Sequence, residues 1–200
     1  MNKVIASISQ SVDGYVTGPD DGPDLGLGRG GERLHYWVFG GPWTYDDQRD
    51  LGEMTGEDKV YFDGLVAGLG AALCGRGMYD AAGAWGGTNP FPGRLFVVTH
   101  RTDDAPDPAS GFTFVPDLDG ALRQARAEAG GRDVAIAGGA DLIRQALDAG
   151  IVDELSISTA PVVLGAGKRL FEGFGKDLDL DILDVHPSPF ATHVTYAVRR

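Results

Sequence analysis

Three turns hold most of the residues whose types and spacing could do chemistry. At the first, the apolar run Val134, Ala135, Ile136 and Ala137 meets the pair Gly138-Gly139, after which Leu142, Ile143, Ala146 and Leu147 share one helical face. The pattern predicts a buried strand, a tight turn and an amphipathic helix. With no Cβ at either glycine, another group can approach the backbone closely. The first N–H groups of the helix have no intrahelical partner and carry the positive end of its dipole, a combination suited to a phosphate. The alternative is a plain strand-to-helix turn, which needs at most one glycine. Gly75-Arg76-Gly77-Met78-Tyr79 closes a second apolar run, and the polar and basic triplet Thr99-His100-Arg101 closes a third.

The charge balance limits what those turns could bind. A formal net charge of −12 sets a diffuse field against nucleic acid and anionic membrane surfaces. One small anionic ligand remains compatible with it, provided that Arg, His and backbone donors gather locally. His35, His186 and His193 lack metal-ligand spacing, and the single cysteine, Cys74, excludes both an internal disulfide and a multi-thiolate site, so no metal is expected. No apolar run reaches the ~18 residues of a membrane span. The opening MNKVIASIS has too short an apolar run for a signal peptide and reads as a first strand, so a cytoplasmic protein is expected.

The elements that would position these turns follow from periodicity and punctuation. Lys3 to Ser9 reads as a central strand, and the Gly/Pro/Asp-rich segment up to Gly31 as a long loop. Glu32 to Phe39 has the spacing of a short helix, and Asp58 to Leu69 that of a longer one, leading into a strand at Ala71 to Cys74. Trp85 to Gly93 reads as loop, Leu95 to Thr99 and Phe112 to Val115 as strands. Asp117 or Asp119 can cap a helix that ends at Gly130-Gly131. Beyond it, Asp153 to Ser158 continues toward Leu164 as strand, and the stretches Leu178 to Val185 and Val194 to Val198 flank a His186-Pro187-Ser188-Pro189 turn, predicting a closing hairpin. Strands alternating with helices indicate one α/β domain over residues 1–200 with a mostly parallel sheet. In such sheets ligands bind beyond the carboxyl ends of the strands, where all three turns would lie.

The segments IASISQSVDGYVTGPD, CGRGMYD, RLFVVTHR, VAIAGGADLIRQAL and VDELSISTAPVVLGAGKRLFEG, in this order, resemble the dihydrofolate reductase-like superfamily. The nearer resemblance is to its bacterial branch, which includes the reductase domain of the riboflavin-biosynthesis deaminase–reductase. It implies a three-layer αβα sandwich with an antiparallel C-terminal strand, often dimeric, and an NADPH site. By this resemblance Gly75, Arg76, Met78 and Tyr79 occupy a phosphate-binding turn. Thr99, His100 and Arg101 meet the adenosine ribose and its 2′-phosphate. Gly138, Gly139, Ala140 and Asp141, with Leu142 following, form the pyrophosphate turn, and Ala6, Val16 and Thr17 lie near the nicotinamide. A guanidinium presents parallel donors to phosphate, which suits Arg76 and Arg101 to the role. The family commonly has a second basic residue and a threonine where this chain has Gly77 and Met78, which leaves NADPH against NADH open.

The activity implied is hydride transfer to a small planar heterocycle of pterin, pyrimidine or riboflavin-precursor type, with a small-molecule substrate as partner and a homodimer as the assembly. Asp13 matches the acid of the branch's SLDG-type motif and is the catalytic candidate, although an Asp-Gly turn alone would account for it. Asp46, Asp47 and Asp50 are further acids, and Trp43, Tyr61 and Trp85 could line an apolar pocket or sit in the core. A nucleotide-binding protein without turnover, and a structural or dimer-forming protein that keeps only the scaffold, are the alternatives.

Overall fold

The computed structural model describes residues 2–46 and 51–199. Eight strands form one sheet in the order β4-β3-β2-β5-β1-β6-β8-β7: β1 (Val4–Ser11), β2 (Leu69–Gly75), β3 (Arg94–Val98), β4 (Phe112–Val115), β5 (Asp133–Ile136), β6 (Glu154–Ala160), β7 (Leu180–Pro187) and β8 (Thr192–Val198). Strands β1 to β6 pair in parallel, and β8 runs antiparallel to both β6 and β7. This is the mostly parallel sheet with an antiparallel C-terminal strand that the resemblance implied.

The four α-helices among the described residues follow from their surroundings. They are α1 (Gly56–Ala67), α2 (Arg76–Ala81), α3 (Leu118–Ala129) and α4 (Ala140–Asp148). The central strands bury both faces, so alternate residues serve opposite layers. Val4, Ala6, Leu73, Phe96, Val134 and Ile136 pack with the apolar faces of α3 and α4. On the other side Ile5, Cys74, Leu95, Val97 and Ala135 pack against Leu65 and Val66 of α1 and Met78 and Tyr79 of α2. Helix α3 brings mostly small residues to the sheet, Gly120, Ala121, Ala125 and Ala129, together with Leu118 and Leu122. Its close approach also explains Gly70, where a Cβ would lie 2.7 Å from the Ala129 Cα. The Asp117 carboxylate caps α3 by accepting from the Gly120 N–H at 2.6 Å.

Several boundaries differ from expectation for local reasons. The Gly75–Tyr79 turn is itself the start of a helix, since α2 begins at Arg76 directly beyond the extended Gly75. Trp85-Gly86-Gly87 belongs to a 3-10 stretch, Gly83–Gly87, in which Ala84, Trp85 and Gly86 all have positive φ. The extension to Leu164 leaves the sheet after Ala160, because Pro161 has no N–H for a ladder. The segment expected as a short helix from Glu32 is a single 3-10 turn, Gly31–His35. Between β1 and that turn the long loop is tied by backbone bonds from Gly18 N–H to the Leu27 carbonyl and from Arg29 N–H to the Pro19 carbonyl. The Tyr45 hydroxyl accepts from Leu27 N–H at 2.6 Å, fixing the loop against the following segment. Among the described residues no helix is long and apolar enough to cross a membrane.

Candidate functional site

A cleft of about 1480 Å³ opens beyond the carboxyl ends of β3, β2, β5 and β1, roofed by the long loop and the 3-10 turn at Gly31–His35. All three chemistry-bearing turns reach it. Gly75, Arg76 and Met78 line it, as do Thr99, His100 and Arg101, the run Gly138, Gly139, Ala140, Asp141 and Leu142, and Val16 with Thr17. Ala6 and Tyr79 do not. Ala6 is wholly enclosed in the core, and Tyr79 turns into the opposite layer, its ring edge-on to Phe112 and Phe114.

The strand-to-helix turn after β5 has the form of an anion cradle. Gly75 N–H donates to the Gly138 carbonyl at 2.9 Å, which locks the turn to the end of β2. Gly138 has φ +127, a conformation that favours glycine, and a Cβ there would meet the Met78 sulfur at 3.0 Å. Gly139 is the N-cap of α4, and no side chain caps the helix. A Cβ at Gly139 would meet nothing within 4 Å on a backbone that lines the cleft. The Asp141 carboxylate is drawn back along its own helix by Arg144 at 3.2 Å and Gln145 at 2.8 Å. The first-turn N–H groups therefore face the cleft without a competing side-chain cap.

At the β2 and β3 ends the two arginines are already engaged. Arg76 donates from Nε to Asp80 at 2.7 Å and from its two terminal nitrogens to Asp104 at 2.9 and 2.5 Å. Arg101 donates to the second oxygen of Asp80 at 2.9 Å. The Asp104 pairing, followed by that of Asp80, raises the Arg76 pKa, and Arg76 in turn holds the Asp104 carboxyl below its usual range. The expected local positive cluster is thus a neutral Arg76–Asp80–Arg101–Asp104 network.

Asp13, expected as the catalytic acid, does not line the cleft. Its carboxylate accepts from the Ser11 hydroxyl at 2.6 Å and from the Leu164 and Gly165 N–H groups at 3.1 and 2.8 Å. These donors, the Ser11 hydroxyl foremost, lower its pKa to about 2. Asp13 fastens the β1 turn to the segment after β6. Asp46 is exposed and off the cleft wall, and Asp47 and Asp50 lie outside the described residues.

The β1 end of the cleft is aromatic. His35, Phe39, Trp43 and Tyr45 line it together, with Trp43 edge-on to both Phe39 and Tyr45. Trp85 lines the cleft as well. Two polar groups here have no protein partner among the described residues: the Trp43 indole N–H, which is buried, and the His35 ring. Burial pulls the His35 pKa down to about 4, so its imidazole is neutral at physiological pH and offers one donor and one acceptor. His35 went unnoticed as a site residue because a lone histidine in a helical pattern carries no spacing signal. Lys168 and Arg169 are also at the cleft wall.

Tyr61 belongs elsewhere. Its ring stacks on His193 with centroids 4.0 Å apart, and its hydroxyl lies 2.9 Å from the Ser156 hydroxyl. His193 bridges the Ser158 hydroxyl at 2.7 Å and the Asp58 carboxylate at 2.8 Å. The sequence of groups is that of a nucleophilic triad. Ser158, His193 and Asp58 are nevertheless 2%, 1% and 4% exposed, beyond reach of a substrate. With Asp58 on α1 and the other two on β6 and β8, the group is a polar clamp between layers.

A fold of this topology with its cleft at the strand ends invites comparison with known proteins. The profile of the family described as RibD C-terminal domain matches residues 2–189. The chain belongs to that family. Riboflavin biosynthesis protein RibD of Corynebacterium ammoniagenes is 34% identical over 116 residues, which is 55% of this chain and 34% of that protein. The uncharacterized protein YyaP of Bacillus subtilis (strain 168) is 41% identical over 54 residues, 27% of this chain and 29% of the relative. The matched part of the chain thus spans about a third of the length of these curated relatives. Among solved structures, a putative riboflavin biosynthesis protein from Shewanella sp. PV-4 has a TM-score of 0.69 at 20% identity, covering 99% of both chains. Dihydrofolate reductase from Enterococcus faecalis, complexed with NADP(H) and RAB-propyl, has a TM-score of 0.63 at 15% identity, covering 99% of this chain and 97% of that one. These likenesses establish the dihydrofolate reductase-like fold.

Proposed function

We propose that the protein is a reductase that takes a hydride from a nicotinamide dinucleotide, with NADPH as the expected form, and delivers it to a small planar heterocycle. The observation that carries this reading is the uncapped α4 N-terminus with Gly139 open to a cleft whose far end is aromatic. The sheet order sets the layout. A pyrophosphate on the β5 turn has the β2 and β3 ends on one side for the adenosine and β1 on the other for the nicotinamide. Gly138, Gly139, Ala140 and Asp141 hold the pyrophosphate through backbone N–H groups. Thr99, His100 and Arg101, with Arg76, meet the ribose end, and Val16 and Thr17 cover the nicotinamide. Membership of the RibD C-terminal domain family supports the same assignment.

When bound, the dinucleotide supplies the hydride, and the protein's part is to orient two rings and exclude water. Phe39, Trp43 and Tyr45 form the walls against which a flat ring can stack. His35, neutral and unpartnered, hydrogen-bonds the heterocycle edge, and the Trp43 N–H offers a second donor. A homodimer fits the exposed Ile182, Leu183 and Val185 on the edge strand β7, and light scattering would read it directly. The decisive test is titration with NADPH followed by Trp fluorescence, then NADPH oxidation against dihydrofolate and a ribosylaminopyrimidine riboflavin precursor. Quenching together with oxidation by one of these substrates is expected. Absence of quenching at millimolar NADPH would remove the reading.

A further inference from the structure

We propose that Asp80 and Asp104 are specificity-determining residues that weaken the protein's preference for a 2′-phosphorylated dinucleotide, so that NADH binds nearly as well as NADPH. The inference rests on the reading of the cleft given above and concerns the ribose end alone. Two guanidiniums, Arg76 and Arg101, line the cleft at the β2 and β3 ends, and both already donate to carboxylates. Of the five N–H donors on Arg76, one goes to Asp80 and one from each terminal nitrogen goes to Asp104, leaving two. The bidentate face, the best geometry for phosphate, is the face that Asp104 occupies.

Arg76 cannot evade this competition by turning. Its guanidinium lies 5.0 Å from the Phe114 ring centre and 5.8 Å from that of Tyr79, and its side chain is only 16% exposed. Asp80 holds it from below and bridges to Arg101 with its second oxygen. Asp104, by contrast, is 51% exposed on the segment after β3, and Arg101 is 63% exposed. A 2′-phosphate must either displace Asp104 from Arg76 or settle beside two carboxylates. In both cases the attraction of two arginines is largely cancelled by repulsion from two aspartates. A ribose with a free 2′-hydroxyl meets a neutral network and loses nothing. Gly77 and Met78, which follow Arg76, add no further positive charge to the turn.

The test is calorimetric titration of the wild type, Asp104→Asn and Asp80→Asn with NADPH and NADH, and with the fragments 2′,5′-ADP and ADP. Asn keeps the shape and an acceptor oxygen while removing the charge, and thermal melts verify that each variant is folded. The wild type is expected to bind the two dinucleotides within about threefold of each other, and Asp104→Asn to tighten NADPH about tenfold with NADH moved less than about twofold. The fragments repeat the contrast without involving the nicotinamide end. An unchanged NADPH-to-NADH ratio in both variants, with both dinucleotides still bound, overturns the role of the aspartates. Failure of the wild type to bind either dinucleotide instead overturns the reading of the cleft, and this inference with it.

Discussion

His35 is the residue whose environment says most about the aromatic end of the cleft, proposed above to take the heterocycle. Its imidazole is half-buried without a protein partner, and desolvation lowers its pKa from 6.5 to about 4. Neutrality there means that the group can both give and accept a hydrogen bond but brings no charge to the substrate. Catalytic rates should therefore be free of a His35 titration between pH 5 and 8. The same shift ties His35 to stability. Its contribution is complete above the unfolded value near 6.5 and is lost as pH falls toward 4, because the unfolded chain then binds the proton more readily. Between pH 7 and pH 5 the wild type should lose about 1–2 kcal/mol more than His35→Phe, as read from urea midpoints at both pH values. His193 is lowered by burial in the same direction, so the His35→Phe variant keeps a residual slope. Equal slopes in the two proteins would show that His35 does not sit in a desolvated wall.

Two elements separate binding from folding. The N-terminus of α4 can be altered without disturbing the protein, since Gly139 has φ −77 and open space where a Cβ would project. Gly139→Ala should therefore melt like the wild type yet bind the dinucleotide at least about tenfold more weakly, because a methyl group would stand between the phosphates and the peptide N–H groups. Unchanged affinity would remove the pyrophosphate from this turn. Helix α1 gives the opposite case. The Asp58–His193–Ser158 clamp joins it to β6 and β8 and lines no part of the cleft. Asp58→Ala leaves a buried imidazole with an unpaired donor, and a loss of about 3 kcal/mol in denaturant unfolding is expected with dinucleotide affinity retained. A small stability loss would mean that water replaces the carboxylate.

For the whole molecule, a net charge of −12 surrounds the cleft proposed for the dinucleotide. The nearby Arg76 and Arg101 are neutralised by Asp80 and Asp104, so little local attraction offsets the long-range repulsion. Added salt should therefore speed dinucleotide association rather than slow it. A rise of about two- to threefold in on-rate between ~10 and ~150 mM salt is expected in stopped-flow quenching. Slower association with salt would show that free guanidiniums steer the ligand, contrary to the paired network.

The sequence by itself determined the order of strands and helices, the parallel sheet and the three turns at its carboxyl edge. Those properties rest on local signals: the short continuous apolar runs of β2, β3 and β5, the i, i+4 stripe of α4, and the Gly138-Gly139 pair. Only the tertiary structure decided what the side chains at those turns do. That Asp13 ties a turn, that Arg76 and Arg101 are neutralised by Asp80 and Asp104, and that His35 joins Trp43 at the cleft wall all depend on contacts between residues far apart in the chain or on side-chain direction. Residue type and spacing carry neither kind of information. A carboxylate reads the same in a sequence whether it faces a substrate, an arginine or two peptide N–H groups, and the difference among those three is the chemistry of the site.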